Sequence, residues 1–202
     1  MKKKFFFSIF TLLILTSLNL ITAQNRESGF SGNFLKWKGS AGISYSFGSA
    51  ELYADKDLIG GPTYSGRGSN RFSLWMVAGM SKKTDFQISA SYTGNRFQIT
   101  PAYTGGTVTS TSGNISVFSL SAFARYHFLK YLYLGAGPVL SMNTGDRDLN
   151  GIGAGAIFGG EYTFSNKIVI SFGPYAYLHG LLPNKTYKLL NAGVNFSIGY
   201  KL

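Results

Sequence analysis

Residues Tyr187 to Leu202, YKLLNAGVNFSIGYKL, divide by parity. In an extended chain Leu190, Ala192, Val194, Phe196, Ile198, Tyr200 and Leu202 share one face, and Asn191, Gly193, Asn195, Ser197, Gly199 and Lys201 share the other. A strand sends successive side chains to opposite faces, whereas a helix would mix the two sets. The apolar face runs to the last residue, as expected of the closing strand of a barrel whose exterior is apolar. The same alternation recurs in seven earlier segments, and that repetition limits what the chain can fold into.

The first of these segments sets Trp37, Gly39, Ala41, Ile43, Tyr45 and Phe47 against Lys38, Ser40, Gly42, Ser44 and Ser46. The second runs from Arg71 to Met80 and the third from Asp85, with Phe86, Ile88, Ala90 and Tyr92 on the apolar side. Phe97 and Ile99 fall at odd positions, which predicts a parity slip near Gly94–Asn95, by a bulge or an exit from the sheet. The fourth and fifth segments carry Phe118 to Phe128 and Leu132 to Met142 at even positions. The sixth and seventh carry Ile152 to Phe164 and Ile168 to Leu178. Pro138 cannot donate to a ladder, so a bulge is expected there, and Pro174 raises the same question. Short turns at Ser81–Thr84, Leu129–Lys130 and Ser165–Lys167 alternate with longer connections at 49–70, 97–113, 143–150 and 180–186. Eight strands with alternating short and long connections predict an all-β fold: an eight-stranded antiparallel up-and-down transmembrane β-barrel, with short turns in the periplasm and long loops outside.

The amino terminus suits that destination. MKKKFFFSIFTLLILTSLNLITAQ combines a basic start, an apolar run and small residues at Thr22 and Ala23, the pattern of a secretory signal peptide cleaved after Ala23. The domain reading is therefore 1–23 signal peptide, 24–36 flexible periplasmic lead-in and 37–202 barrel, with no second domain expected. Without Lys2, Lys3 and Lys4 the 19 cations become 16 against 8 anions, a net charge of +8. With no cysteine, disulfides, thiolate metal sites and a lipid-modified cysteine at the cleavage site are excluded. No later apolar run approaches the 18 or so residues a membrane helix needs. A chain that is 45% hydrophobic and holds 26 glycines can still cross a bilayer as a closed barrel, where strands satisfy every backbone N–H and C=O. A soluble up-and-down barrel such as a lipocalin would turn its apolar face inward. The Gly, Ser and Asn of the opposite face are too small and polar for such a core, and the aromatics cluster at strand ends as interfacial girdles would.

The signal segment, the eight alternating segments, YLYLGAGPVLSM at 131–142, GIGAGAIFGGEYTF at 151–164 and the final NAGVNFSIGYKL resemble the outer-membrane β-barrel domain family. This is the porin-family group that includes small OmpA- and OmpX-like barrels. The resemblance covers roughly residues 37–202 and implies an integral outer-membrane location and insertion by the barrel-assembly machinery. It departs from many members at Leu202, where an aromatic is usual.

The inward set offers few reactive groups. Trp75, Phe123, Tyr133, Ile157, Tyr175 and Tyr177 are the main fillers, so a narrow, partly hydrated interior is expected. Arg125 and Glu161 are the most suggestive inward pair, and Asp85 and Lys201 share their end of the barrel. Together they read as a structural lumen charge network. His127 is expected near Arg125, and His179 at the opposite rim beside Ser171, Tyr175 and Tyr177. No His-x-Ser motif or nearby acid supports a lipid A-modifying enzyme, and no catalytic, cofactor-binding or metal-binding residue is assigned. Arg71 is grouped with Lys56, Arg67, Arg96, Arg147, Lys185 and Lys188 as loop and rim cations facing solvent or lipopolysaccharide phosphates. No nucleic-acid motif is present. The expected role is structural or surface-interacting, with loops 49–70 and 97–113 presented to an external ligand. A narrow porin-like channel, an outer-membrane enzyme and a secretion or assembly component are the alternatives.

Overall fold

A sheet with one polar and one apolar face leaves two unpaired edges unless it closes on itself. In the computed structural model it closes. The structure describes residues 39–54, 63–101, 109–143, 149–183 and 187–202. The strands are β1 (Gly39–Ala54), β2 (Thr63–Gly79), β3 (Thr84–Thr100), β4 (Thr111–His127), β5 (Leu132–Asn143), β6 (Gly151–Thr163), β7 (Ile168–Leu182) and β8 (Tyr187–Lys201). Each pairs antiparallel with the next, and β8 returns to β1 from Ser40↔Lys201 to Ala54↔Tyr187. The expected signal segment, the lead-in and Trp37 lie outside the described residues.

The register carries one parity of side chains inward around the whole ring: even positions on β1, odd positions on the others. Phe172 is 59% exposed on the outside, whereas Ser46 and Ser119 on the inside are fully buried. That inverts the order of a soluble barrel. Outward aromatics form a diagonal row across neighbouring strands: Phe172, Phe196, Tyr45, Phe72, Tyr92 and Phe118 are successive cross-strand partners. At the short-turn end Phe128 stacks on Phe158 with centroids 6.1 Å apart, and Tyr162 meets Phe164 edge-on at 4.8 Å.

Three expectations from the sequence are corrected. The strands reach into the connections expected at 49–70 and 97–113: β1 runs to Ala54, β2 starts at Thr63, β3 runs to Thr100 and β4 starts at Thr111. Parity does not slip at Gly94–Asn95: β3 pairs with β4 without a break from Thr84 to Ile99, and Phe97 points inward. Neither Pro138 nor Pro174 sits at a bulge. Pairing lapses between Ser121↔Val139 and Ala124↔Ala136, and between Ile157↔Tyr175 and Gly160↔Phe172, then resumes in the same register. Each proline thus interrupts a ladder on the side where its missing N–H would have donated, without inserting a residue. The register shifts lie elsewhere, at Gly66/Gly68 on β2 and at Ile152/Ala154 on β6. Gly68 takes φ 150°, a conformation open to glycine. The shift beside it turns Tyr64 inward, against the buried cluster at that end of the barrel.

The seam between β1 and β8 closes through glycine. Gly42 faces Gly199 and Gly48 faces Gly193. A Cβ on Gly42 would stand 2.1 Å from the Ile198 carbonyl oxygen and 2.7 Å from the Trp75 ring. Only glycine permits that approach, and it leaves room for Trp75, whose Nε1–H donates to the Ile43 carbonyl at 3.1 Å.

Candidate functional site: the barrel lumen

At the short-turn end, β3, β4 and β6 deliver a charge network. Arg125 on β4 and Glu161 on β6 are brought together across β5, with Nη2 donating to Oε2 at 2.7 Å. Asp85, paired with Arg125 across the β3–β4 ladder, places Oδ2 3.6 Å from Nη2 and 2.6 Å from His127 Nε2. Gln87 accepts from Arg125 at 3.2 Å, and the Tyr133 ring lies 4.1 Å beneath the guanidinium. Arg125 is almost fully buried, while the carboxylates are each about one-fifth exposed. Of the four residues expected in this network, Asp85, Arg125 and Glu161 meet. Lys201 does not join them: it is exposed at the end of β8, among the last paired residues of the seam. Sequence parity placed it inward but carried no information on height along the barrel axis.

The long-connection end is closed by apolar packing. Ala50, Phe97, Val117, Leu149 and Leu189 are buried together, with Leu52, Tyr64 and Ile115 against them. Leu149 precedes β6, so the connection expected at 143–150 supplies part of this plug. Below it lie Phe123, Tyr133, Val139, Ile157, Tyr175 and Tyr177, which include five of the six expected fillers; Trp75 packs separately with Val77 and Val169.

Arg71 belongs here and not among the rim cations. It is 3% exposed, with its guanidinium carbon 4.1 Å from both the Tyr175 and Tyr177 ring centroids. Nη2 donates to Ser46 Oγ at 3.3 Å. Nε and Nη1 have no hydrogen-bond partner among the described residues. The hint was available in the sequence, since Arg71 shares inward parity with Ser73 and Trp75. Its place beside the Gly- and Ser-rich first half of β2 obscured it.

His179 is also buried rather than at a rim. Its Nδ1 lies 2.6 Å from Ser141 Oγ, and Tyr177 meets its ring edge-on. Ser171, expected beside it, instead pairs with Ser197 at 2.5 Å. The Ser141–His179 pair is at most 1% exposed and has no carboxylate within ion-pair distance among the described residues, so it is sealed from any lipid or solute. Among the described residues no group of three or more His, Asp or Glu side chains is arranged to hold a metal ion. A cavity of about 30 Å³ occupies the middle of the lumen, between Arg71 and the Arg125–Glu161 pair, lined by serines, Asn195 and Trp75. Outside, Lys130 in a short turn sits 5.0 Å from the Tyr131 ring centroid. Its hydrogen bond to Tyr131 holds the ammonium above the ordinary lysine value.

An apolar exterior, a polar serine-lined interior and a closed ring of eight strands define the class: a small integral β-barrel of the outer-membrane type. Among solved structures the chain is similar to the outer membrane protein OprG from Pseudomonas aeruginosa, at 11% identity and TM-score 0.49, covering 82% of this chain and 95% of that one. It is also similar to Ail, the attachment invasion locus protein of Yersinia pestis, in complex with the heparin analogue sucrose octasulfate. That match has 14% identity and TM-score 0.42, and covers 82% and 99% of the two chains. The outer membrane protein AlkL is similar at 12% identity and TM-score 0.33, with 87% and 96% covered. No protein-family model matches the chain, and no curated protein matches it in sequence.

Proposed function

We propose that this protein is exported by a signal peptide of residues 1–23 and inserted into the outer membrane as a barrel that does not conduct. There it acts structurally or through its outward connections, in contact with outer-membrane lipid and lipopolysaccharide. The observation that carries this reading is the double closure of the lumen. The Phe97–Leu189 plug seals one end, the Arg125 network fills the other, and the cavity between them is about 30 Å³. A space of that size holds a small cluster of waters between the two ends and forms no continuous wide passage.

Orientation follows from the connections. The short turns and both ends of the barrel domain share one end, which we assign to the periplasm. The long-connection ends of β1 to β4, within the stretches 49–70 and 97–113, then face outward and would meet an external ligand. The barrel-assembly machinery is the partner expected during insertion. Enzymatic action is disfavoured by the burial of the Ser141–His179 pair.

Fractionating the envelope and running unboiled samples on a gel tests this reading. A folded barrel should appear in the outer-membrane fraction and shift in apparent mass only after boiling. A protein found in the soluble fraction, or one without the shift, would contradict it.

A further inference from the structure

Among the described residues two guanidinium groups share this lumen, and only one has a carboxylate. Arg125 holds Glu161 at 2.7 Å and Asp85 at 3.6 Å. Arg71 has no carboxylate within 4.0 Å among the described residues, and two of its three nitrogens donate to nothing there. An arginine cannot shed its proton to escape burial. Its charge therefore has to be met by its surroundings. The Tyr175 and Tyr177 rings answer part of that demand with their faces. Ser46 accepts one hydrogen bond, and its own hydroxyl donates to Asn195 at 2.7 Å.

We propose that the mid-lumen cavity beside Arg71 binds one small inorganic anion of halide size. Arg71 lines this cavity together with Ser44, Ser73 and Asn195. Ser44 and Ser73 are direct cross-strand partners, so their hydroxyls project side by side and can rotate to donate. Glu161 lines the cavity too, but its Oε2 is committed to Arg125. The volume of about 30 Å³ sets the class of ligand. It gives a monatomic anion room to sit against Arg71 with a small number of waters. The apolar plug keeps bulk water from the outer side, so a bound anion would face a weakly screened cation. This inference rests on the closed lumen proposed above.

The test uses the full mature barrel, refolded and unfolded thermally in zwitterionic detergent. Sodium chloride, bromide, sulfate and gluconate are compared at equal ionic strength. Chloride and bromide should raise the midpoint in a saturable way over gluconate. Arg71→Met should abolish that increment, and Arg71→Lys should weaken the apparent halide affinity about tenfold, because the planar fork is lost. Equal midpoints in all four salts would overturn the proposal, as would an Arg71→Met barrel that keeps the halide increment. A rise in sulfate as large as in chloride would mark a general salt effect and overturn it equally. Should Arg71→Met fail to fold, bromide-soaked crystals of the unaltered protein decide the matter. An anomalous peak against Arg71 is expected, and a lumen without one refutes the site. Steady conductance would undermine the closed lumen itself, whereas loss of the halide effect in a non-conducting barrel would sink this inference alone.

Discussion

Replacing Arg125 by Ala removes the shared partner of Glu161 and Asp85 and the cation above Tyr133. Breaking a buried ion pair costs about 3–5 kcal/mol. The low end, about 3 kcal/mol, is expected here, since both carboxylates are one-fifth exposed and can hydrate. Chemical denaturation in detergent reads this out directly, and an unchanged midpoint would show that the network has no structural role. Gly42 makes a separate prediction. With a carbonyl oxygen 2.1 Å from its notional Cβ, Gly42→Ala should destabilise the barrel by about 1–3 kcal/mol. Gly94, where a Cβ would meet nothing within 4 Å, is the control: Gly94→Ala should stay within about 0.5 kcal/mol. Comparable losses at both positions would argue against the tight β1–β8 seam. Parity alone identified Arg125 and Glu161, because alternate positions on a strand share a face. It could not rank cations by depth, which is why Lys201 was grouped with the buried set and Arg71 with the solvated one. Depth depends on strand tilt and stagger, which are properties of the closed ring and not of any one segment.

Among the elements, the plug joins the ends of β1, β3, β4 and β8 through Ala50, Phe97, Val117 and Leu189. Phe97 is fully buried in it. Phe97→Ala should cost about 3–5 kcal/mol, as large-to-small changes in a packed core do. It should also admit water from the outer side, measurable as faster amide exchange on the upper half of β3. Unchanged exchange there would mean that Phe97 does not seal the lumen. The inward turn of this residue is hidden in the sequence because an aromatic at an inward position of a polar-lined barrel looks like a change of parity. Inversely, the one parity change on β2 falls at Gly66/Gly68, within a stretch of Gly and Ser that shows no alternation to break. The strand count, the short turns and the fillers were legible because each depends only on local periodicity. The extension of β1 to β4 past the apolar band was not, since those segments alternate weakly and are held by pairing with each other.

For the whole molecule, the exterior is the feature that separates this barrel from a soluble one. Ile43 lies outward within the apolar run Ala41–Phe47 of β1, flanked across the sheet by Leu74 and Ile198. Ile43→Arg should cost about 2–4 kcal/mol in a bilayer, the penalty for arginine at the midplane of a lipid-facing strand. In a soluble protein a half-exposed position would tolerate the change within about 0.5 kcal/mol. Refolding titrations into lipid vesicles distinguish the two. The central claim is that this exterior encloses a lumen shut at both ends, and single-channel recording of the purified barrel in planar bilayers tests it most directly. Insertion without a steady current is the expected result. A stable, large conductance from the unaltered protein would contradict it.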